Sequence, residues 1–461
     1  MDVARLNFSH GTHEFHAGLI ETIRSCASEA GKTVAIMQDL QGPKIRLGKL
    51  PPEGVDLQNG EKYCLFPEGS PPKSLQQGER ALPIMAEIAA AVAADVRPGA
   101  RILFDDGKVA TRALHVDGAE IHIQVEVGGK VTSHKGMNLP GTPLSIPCLT
   151  EKDLEDMRFG VSKQVDAIAL SFVRSAEDIL DLKDQIRSLT SEPPMVVAKI
   201  EREEAVDQME SIIEVSDALL VARGDMAVEV GAWRVPSIQK QLIKSCNELG
   251  VPIITATQML ESMISSPTPT RAEASDVANA VFDGTDCVML SGETASGQYP
   301  IEAVSLMSRI IEESEKNKDF YTSRDILPLP GSIVESIEFS ASRIANHVGA
   351  AAIVCLTHSG MAARTLAKYR PYKPIVAIMD NDRQLRRLAF VWGIRGVIIP
   401  KIVATDDLFA MVESTLLSNK LAENEDYVVV TAGVPTLRRG TTNMIKVHKI
   451  GAQSERASLK L

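Results

Sequence analysis

The feature that most constrains the fold is a strand–helix alternation that repeats between residues 150 and 317. Short apolar segments that end in polar residues alternate with amphipathic segments whose apolar residues recur every three to four positions. Strands that are apolar on both faces and alternate with helices are typical of a parallel sheet covered by helices. The apolar segments lie at 165–172, 194–201, 218–225, 252–258 and 286–293.

Capping residues mark where the intervening helices begin and end. Thr150 is followed three residues later by Asp153, and Ser175 by Asp178, which is the spacing of an N-terminal capping box. Gly250 follows an amphipathic segment and predicts the end of that helix.

Two more strands of the same kind lie near the N-terminus, at 3–10 and 33–40. Seven strand–helix units whose tips carry polar side chains indicate an α/β fold, a (β/α)8 TIM barrel that lacks one unit. The barrel is expected to comprise residues 1–44 and 147–317.

Residues 45–146 interrupt this rhythm. The segment is rich in Gly and Pro, and Asp106-Gly107, Asp117-Gly118 and Gly128-Gly129 are hairpin-turn signals. We therefore expect an inserted all-β barrel, the lid, between the second and third visible strands. Strands and helices alternate again in residues 318–461, which predicts a separate C-terminal open α/β domain.

Charge and composition restrict the classes of partner. The net charge is -11, which argues against binding to nucleic acid or to an anionic membrane. The six cysteines are scattered without a C-x-x-C pair, as expected for thiols in a reducing compartment. No signal peptide precedes the first strand and no apolar run has the length of a membrane span, so a cytoplasmic protein is expected.

The segment MVVAKIE at 195–201 places Lys199 and Glu201 at the end of a buried strand, on the same side of it. The next strand ends in Asp225 and the one after it in Thr257. Two carboxylates at neighbouring strand tips suit Mg²⁺, and a lysine beside the metal can stabilise an oxyanion or transfer a proton. A structural ion pair for Lys199 and Glu201, and a turn or N-cap for Asp225, fit the same residues.

The first visible strand carries Arg5, Asn7 and Ser9 on one face. Arg5 can hold a phosphate in a bidentate manner, although a half-buried strand with a polar face explains the same pattern. Asp39 ends the second visible strand.

Several segments together resemble the pyruvate kinase family. They are ARLNFSHGTHE, DLQGPKIRLG, KGMNLPG, KIERE, VARGDMAVE, TATQMLESM, RAEASDVANAV and LSGETASGQYP. The resemblance implies a barrel with a β lid and a C-terminal domain, and the transfer of a phosphoryl group from phosphoenolpyruvate to ADP in the last step of glycolysis. It also implies Mg²⁺ or Mn²⁺ as cofactor, allosteric control and a homotetramer in the cytoplasm.

The resemblance also implies roles for individual residues. Lys199 and Arg5 are expected at the transferring phosphoryl group, and Thr257 where enolpyruvate is protonated. Glu201 and Asp225 are expected to bind the divalent ion, with Arg223, Gly224, Asp225 and Thr257 around the substrate. His10, Arg46 and Lys135 are expected along the ADP site, and Asn7, Ser9 and Asp39 match the ligands of a monovalent cation.

The chain departs from the family pattern in two places. Many members carry Glu where this chain has Lys44 and Thr where it has Leu40, and a Lys at that position resembles members that do not require K⁺. We hypothesise that the ammonium of Lys44 replaces K⁺; a loop lysine in water is the alternative. The second departure is at the N-terminus, where members normally have one further strand and helix before ARLNFSHG. Its absence here is explained by a misassigned start, by a fragment or by a real short form.

Thr357, Ser359 and Gly360 precede a predicted helix in the C-terminal domain and resemble the family's effector pocket, although a plain N-cap fits them too. Met361 stands where members that respond to a sugar bisphosphate carry a basic residue. This puts a bisphosphate in doubt and leaves a sugar monophosphate or a nucleotide as the effector.

Two rival functions are open. The first is an Mg²⁺-dependent barrel of the citrate-lyase type, which would lack the β insert with Arg46 and Lys135. The second is a catalytically impaired, N-terminally truncated paralogue that binds metabolites.

Overall fold

A computed structural model of the chain describes residues 1–317, 326–399, 408–434 and 442–451. Its strands, in chain order, are β1 (Val3–Asn7), β2 (Ala35–Asp39), β3 (Val55–Leu57), β4 (Lys62–Pro67), β5 (Arg80–Ile84), β6 (Arg101–Phe104), β7 (Val109–Asp117), β8 (Glu120–Val127), β9 (Gly129–Val131), β10 (Met137–Asn138), β11 (Ala167–Leu170), β12 (Met195–Ile200), β13 (Ala218–Ala222), β14 (Ile253–Ala256), β15 (Cys287–Val288), β16 (Ala352–Leu356), β17 (Ile375–Met379), β18 (Ile394–Ile398), β19 (Tyr427–Gly433) and β20 (Thr442–Lys449).

The α-helices of the same residues are α1 (His13–Glu29), α2 (Ala86–Asp95), α3 (Glu151–Ser162), α4 (Ala176–Leu189), α5 (Glu203–Asp207), α6 (Met209–Val215), α7 (Arg223–Val230), α8 (Val235–Leu249), α9 (Arg271–Asp283), α10 (Gly292–Ala295), α11 (Pro300–Ser314), α12 (Ile333–Val348), α13 (Met361–Lys368), α14 (Asp382–Arg387) and α15 (Leu408–Ser418). The caps agree with the sequence analysis: Thr150 and Ser175 form capping boxes, and Gly250 ends α8 in the left-handed conformation.

The first domain is built on a parallel sheet that, within the described residues, has seven strands in the order β1-β2-β11-β12-β13-β14-β15. Each strand pairs in parallel with the next one, and the segment between β2 and β11 leaves the domain and returns to it. This arrangement confirms the predicted strand–helix domain and its seven strands. β1 and β15 are the two edges of the sheet in the described structure.

Alternation along β12 decides which side chains enter the mouth of the barrel. Val196, Ala198 and Ile200 belong to the outer core between the sheet and the helices, whereas Met195 and Val197 belong to the inner core. Because side chains alternate along a strand, Lys199 and Glu201 continue the inner row. Burial of the outer row therefore fixes the direction of both charged groups.

The lid is a six-stranded sheet in the order β10-β6-β7-β8-β4-β5, with β3 and β9 as a separate pair. The hairpins predicted at Asp106-Gly107 and Asp117-Gly118 connect β6 with β7 and β7 with β8. Two expectations were wrong. The lid is not all-β, because α2 lies between β5 and β6, and Gly128-Gly129 is not a hairpin turn, because β9 pairs with β3 rather than with β8.

The C-terminal domain has the sheet order β18-β17-β16-β19-β20, in which only β20 runs antiparallel to its neighbour among the described strands. A hydrophobic core lies on each face of this sheet, as expected for an open α/β domain. The apolar segment GVIIPKI at 396–402 also predicts a strand; the structure has β18 from Ile394 to Ile398, and residues 400–402 lie outside the described part of the chain.

The barrel and the C-terminal domain share a buried junction. Arg370 is almost fully buried and donates to the carbonyl oxygen of Gly284 at 2.7 Å and to the side chain of Asn247 at 3.0 Å. Arg386 donates to the buried carboxylate of Asp166 at 2.8 Å, and Phe390 packs into the inner core of the barrel. In the part of the chain that the structure describes, no helix combines the length and the apolar character needed to cross a membrane.

Candidate active site

Four charged side chains meet at the mouth of the barrel. Arg5 on β1 contacts Asp39 at the end of β2, with 2.7 Å between Nε and Oδ2. Nζ of Lys199 lies 3.3 Å from Oδ1 of Asp39 and 2.9 Å from Oε1 of Glu201. The predicted proximity of Lys199 and Glu201 is therefore present in the structure, and it forms part of a larger network.

Burial and pairing shift the pKa values of this network. Burial favours neutral Lys199, but the carboxylates of Asp39 and Glu201 outweigh it and raise the pKa of Lys199. Burial also favours neutral Asp39, but Lys199 and Arg5 hold the pKa of Asp39 below its usual value. Lys199 and Asp39 are consequently charged at neutral pH.

Ser171 is a site residue that the sequence analysis missed. Its hydroxyl accepts a hydrogen bond from Nζ of Lys199 at 2.7 Å and donates to the carbonyl oxygen of Leu40 at 2.7 Å. The next residue, Phe172, donates its backbone N–H to Oε2 of Glu201 at 2.8 Å. The tip of β11 therefore orients both Lys199 and Glu201. A small serine after an apolar strand gave no signal of this role.

Glu201 and Asp225 fit a divalent cation. Burial raises the pKa of Glu201, Lys199 opposes this shift, and the nearby carboxylate of Asp225 adds to it. Within the described residues the carboxylate of Asp225 has neither a hydrogen bond nor an ion pair. A free carboxylate beside a buried one is an arrangement that oxygen-coordinated cations such as Mg²⁺ favour.

The turn predicted at Arg223–Asp225 is the first turn of α7. The guanidinium group of Arg223 is occupied by contacts within the protein. It donates to the carbonyl oxygens of Ala256 and Thr257 at 3.1 and 2.6 Å and pairs with Asp276 at 2.8 Å. Its side chain therefore ties β13 to the end of β14. The backbone N–H groups of this first turn lie at the N-terminus of α7, which is the end of a helix that attracts anions.

Thr257 has a strained backbone. Its φ is 70°, in the left-handed region that β-branched residues rarely adopt. Its hydroxyl accepts from the backbone N–H of Gly224 at 2.9 Å and donates to the carbonyl oxygen of Ala256 at 2.7 Å. These bonds hold Gly224 and Thr257 together, and strain of this kind is typical of functional sites.

The predicted monovalent-cation ligands lie at the tips of two neighbouring strands, β1 and β2. Asn7 ends β1 and accepts from the backbone N–H of Ser9 at 3.1 Å, while Asp39 ends β2 and pairs with β1 in register. Lys44 is half-buried and lines a small cleft of about 30 Å³ between barrel and lid, which Asp225 also lines. Among the described residues its ammonium has no ion-pair partner.

The residues predicted for the nucleotide divide between two domains. Arg46 pairs with Gly136 in the lid and donates to the carbonyl oxygen of His134 at 3.0 Å. Lys135 is adjacent to that pair, and its Nζ lies 2.5 Å from Asp105. His10 is exposed beyond the tip of β1, and in the described structure it makes no hydrogen bond to Arg46 or Lys135.

The effector residues predicted in the C-terminal domain form the turn before α13. The hydroxyl of Thr357 accepts from the backbone N–H of Gly360, whose φ is 78°. Ser359 lines a cavity of about 180 Å³ at the junction of the two domains. The other charged or amide groups that line it include Lys183, Arg187, Asp217, Arg364, Gln384 and Arg387.

Comparisons with known proteins show what the whole chain is similar to. Residues 1–304 match the family described as pyruvate kinase, barrel domain, and residues 335–448 match the family described as pyruvate kinase, alpha/beta domain. The pyruvate kinases of Staphylococcus aureus strains MRSA252 and USA300 are each 42% identical over 459 residues, which are 98% of this chain and 76% of the relative. A crystal structure of a pyruvate kinase from Cryptosporidium parvum superposes with a TM-score of 0.89 at 34% identity, covering 98% of this chain and 91% of that one.

Proposed function

The chain belongs to the pyruvate kinase family, and from that membership we propose how its own residues perform the reaction of a pyruvate kinase. The protein is a phosphotransferase that moves the phosphoryl group of phosphoenolpyruvate to ADP and yields pyruvate and ATP. The observation that carries the assignment of residues is the convergence of Arg5, Lys199, Glu201 and the free carboxylate of Asp225 at one barrel mouth.

We propose that Glu201 and Asp225 hold Mg²⁺ or Mn²⁺. The cation supplies charge neutralisation for the phosphoryl oxygens and the enolate when it is bound. Glu201 is oriented for this role by the backbone N–H of Phe172, which occupies one of its oxygens. Asp225 is placed by the first turn of α7, and its carboxylate is not committed to another described residue.

Lys199 and Arg5 stabilise the transferring group by charge. The raised pKa of Lys199 keeps its ammonium protonated, so its role is electrostatic rather than that of a general base. Asp39 holds Arg5 through Nε and Nη2, and the remaining guanidinium donors can approach a phosphoryl oxygen. Phosphoryl transfer needs positioned positive charge more than covalent help, which suits these two residues.

The substrate carboxylate is proposed to bind at the first turn of α7, where the N–H groups after Arg223 and Gly224 carry the positive end of the helix dipole. Thr257 anchors this turn through Gly224. We propose that it lies on the side where enolpyruvate takes its proton. A Thr257→Val variant tests the assignment: pyruvate formation should fall while phosphoenolpyruvate binding persists. Equal loss of both would reduce Thr257 to a structural role.

Lys44 is proposed to replace K⁺. It is half-buried, it lacks a carboxylate partner among the described residues, and it faces the cleft that Asp225 lines. We propose that its ammonium supplies the positive charge that a monovalent cation at Asn7, Ser9 and Asp39 would otherwise supply. Turnover of the wild-type chain in K⁺ should equal turnover in tetramethylammonium, and strong activation by K⁺ would refute the proposal.

The nucleotide is proposed to lie between the barrel and the lid, near His10, Arg46 and Lys135. Arg46 and Lys135 lie on paired segments of the lid, which places two cationic residues in the part of the lid where the nucleotide is proposed to bind. Closing the lid would exclude water, which competes for the phosphoryl group. An Arg46→Ala variant should raise KM for ADP while KM for phosphoenolpyruvate stays unchanged; an unchanged KM for ADP would remove Arg46 from the site.

An anionic effector is proposed at the turn of Thr357, Ser359 and Gly360. Support comes from the junction cavity, which combines Ser359 with the guanidinium groups of Arg364 and Arg387. Nε of both arginines is buried without a hydrogen-bond partner among the described residues, so neither guanidinium group is fully paired within the protein. A sugar monophosphate or a nucleotide should shift KM for phosphoenolpyruvate in the wild type but not in Arg364→Gln.

A homotetramer in the cytoplasm is proposed from the family resemblance. All six cysteines are free thiols, which fits a reducing compartment. Light scattering coupled to gel filtration tests the assembly, since a monomeric mass at working concentration would contradict it.

The central experiment is steady-state pyruvate formation by the purified chain with phosphoenolpyruvate, ADP and Mg²⁺. Turnover that needs all three and disappears in Glu201→Gln supports the assignment of the site. Turnover that survives in Glu201→Gln would move the metal to other ligands.

A further inference from the structure

A second cluster of metal-binding side chains lies in the lid, outside the barrel mouth. Cys64 on β4 stands opposite His122 on β8 in the antiparallel register, and Glu120 precedes His122 by two residues on the same face. One donor atom from each of the three lies within 4.8 Å of the others, and all three residues are buried.

His122 is already oriented as metal-ligating histidines usually are. Its Nδ1 lies 2.9 Å from a carboxylate oxygen of Glu79, whose side chain is 1% exposed. Glu79 thereby fixes the ring, and Nε2 points to the hydroxyl of Ser74 at 3.0 Å. A carboxylate behind the imidazole is the common outer partner of a histidine that binds a metal.

The charge of this cluster is unbalanced. The side chains of Glu79 and Glu120 are both buried, and within the described residues neither forms an ion pair with a lysine or an arginine. The hydroxyl of Ser74 contacts both Glu120 and Nε2 of His122, although it has a single proton to donate. Buried carboxylates are normally paired or bound to a metal, so the cluster has more acceptor capacity than local cations satisfy.

We propose that Cys64, Glu120 and His122 bind one Zn²⁺ ion, with the hydroxyl of Ser74 or a water as the fourth ligand. A thiolate, an imidazole and a carboxylate are ligands that Zn²⁺ takes in tetrahedral sites, whereas Mg²⁺ takes oxygen ligands and is not expected here. On binding, the Sγ–H bond of Cys64 breaks, the thiolate forms the Zn–S bond and the proton leaves to solvent.

The site would fasten a loop onto the lid sheet. Lys73 and Ser74 lie in the segment between β4 and β5, and their backbone N–H groups donate to Glu120 at 2.7 and 2.9 Å. A metal bound to Glu120 would tie the same loop to β4 and β8. The role is therefore structural, and it is independent of the divalent cation at the barrel mouth.

The test uses the untagged full chain, stripped of metal with a chelator and titrated with Co²⁺ in excess Mg²⁺. Wild type should gain a thiolate-to-cobalt charge-transfer absorption that saturates at one Co²⁺ per chain, and Zn²⁺ should abolish it. Cys26→Ser removes an exposed thiol and should behave as wild type, whereas Cys64→Ser should lack the band. A wild type without the band, or a band of equal strength in Cys64→Ser, would overturn the proposal.

Glu79→Gln gives a second test that removes no ligand. Loss of an outer-shell carboxylate typically lowers metal affinity by about 10–100-fold, so this variant should keep the band but need more Co²⁺. Zinc should also raise the melting temperature of the wild type after metal removal. This measurement does not depend on the folding of any variant. An unchanged melting temperature together with unchanged affinity in Glu79→Gln would contradict the site.

Discussion

The barrel mouth and the C-terminal domain both bury carboxylates but treat them in opposite ways. At the mouth, Asp39 is buried between Arg5 and Lys199, and these cations keep it ionised. In the C-terminal domain, Glu338 on α12 is fully buried, and neither of its carboxylate oxygens has a hydrogen-bond partner among the described residues. Burial raises the pKa of Glu338 to about 8.

Asp39 is therefore an ionised carboxylate that can take part in a charged network, whereas Glu338 is a carboxyl group that burial keeps neutral. The mouth contributes two cations of its own, so it can keep Asp39 charged before any metal or substrate arrives. Glu338 has no such partner among the described residues and is therefore protonated at neutral pH. A buried acid is thus evidence of a site only when fixed cations or further ligands surround it.

The largest expected effect comes from Lys199→Met, which removes the buried ammonium from the charged network of the barrel mouth. Removing one preorganised charge typically costs about 10²–10³ in kcat, and we expect a loss of that size. Mn²⁺ binding, measured by electron paramagnetic resonance, should persist because Glu201 and Asp225 remain. Lys244→Met, which changes an exposed lysine on α8, should leave turnover unchanged. Near-normal turnover in Lys199→Met would remove Lys199 from the mechanism.

Glu338→Gln tests the buried carboxyl group of the C-terminal domain through the pH dependence of the free energy of unfolding. The folded pKa of Glu338 is raised from 4.5 to about 8, so between these values the folded state holds a proton that the unfolded state has lost. The contribution of this group is therefore fully present below pH 4.5 and is lost as the pH rises to about 8. The limiting slope is about 1.4 kcal/mol per pH unit for one proton.

Calorimetric melting between pH 5 and 9 measures this effect. Wild type should lose stability relative to Glu338→Gln as the pH rises to about 8, and the two curves should run parallel above it. Glu302→Gln, at an exposed position of α11, controls for the loss of one charge. Parallel curves over the whole range would show that Glu338 titrates normally.

The same contrast shows what could be predicted from sequence. Period-two alternation was sufficient to place Lys199 and Glu201 on one side of β12, because burial of the intervening residues leaves no other direction. Ser171 and the arginines of the junction were not predictable, since their roles come from contacts over large sequence separations, such as Arg386 with Asp166. Residue type alone does not encode such contacts.

The lid shows a prediction that failed for a local reason. Residues 86–95, AEIAAAVAAD, contain alanine, the strongest helix former, at six of their ten positions and form α2, yet the surrounding turn signals favoured strands throughout. The Gly128-Gly129 pair failed for a tertiary reason, since β9 pairs with β3, whose residues precede it by more than seventy positions. Propensity would have corrected the first error, and nothing local would have corrected the second.

The smallest expected effect comes from reversing the charge of Lys44. Lys44→Glu should lower turnover without K⁺ by roughly tenfold, which corresponds to about 1.4 kcal/mol in the barrier, and added K⁺ should restore it. The reason is that a carboxylate at the cleft removes the fixed positive charge and creates a ligand for the missing cation. Steady-state rates in K⁺ and in tetramethylammonium measure the effect.

Lys49→Glu is the matched control, because Lys49 is exposed in the same connection to the lid and should remain independent of K⁺. If Lys44→Glu loses turnover and K⁺ does not restore it, the ammonium has a role that a monovalent cation cannot take over. If turnover is unchanged in both salts, the charge of Lys44 has no role in the reaction. Only restoration by K⁺ would show that this barrel mouth supplies with a side chain the charge that the monovalent cation otherwise supplies.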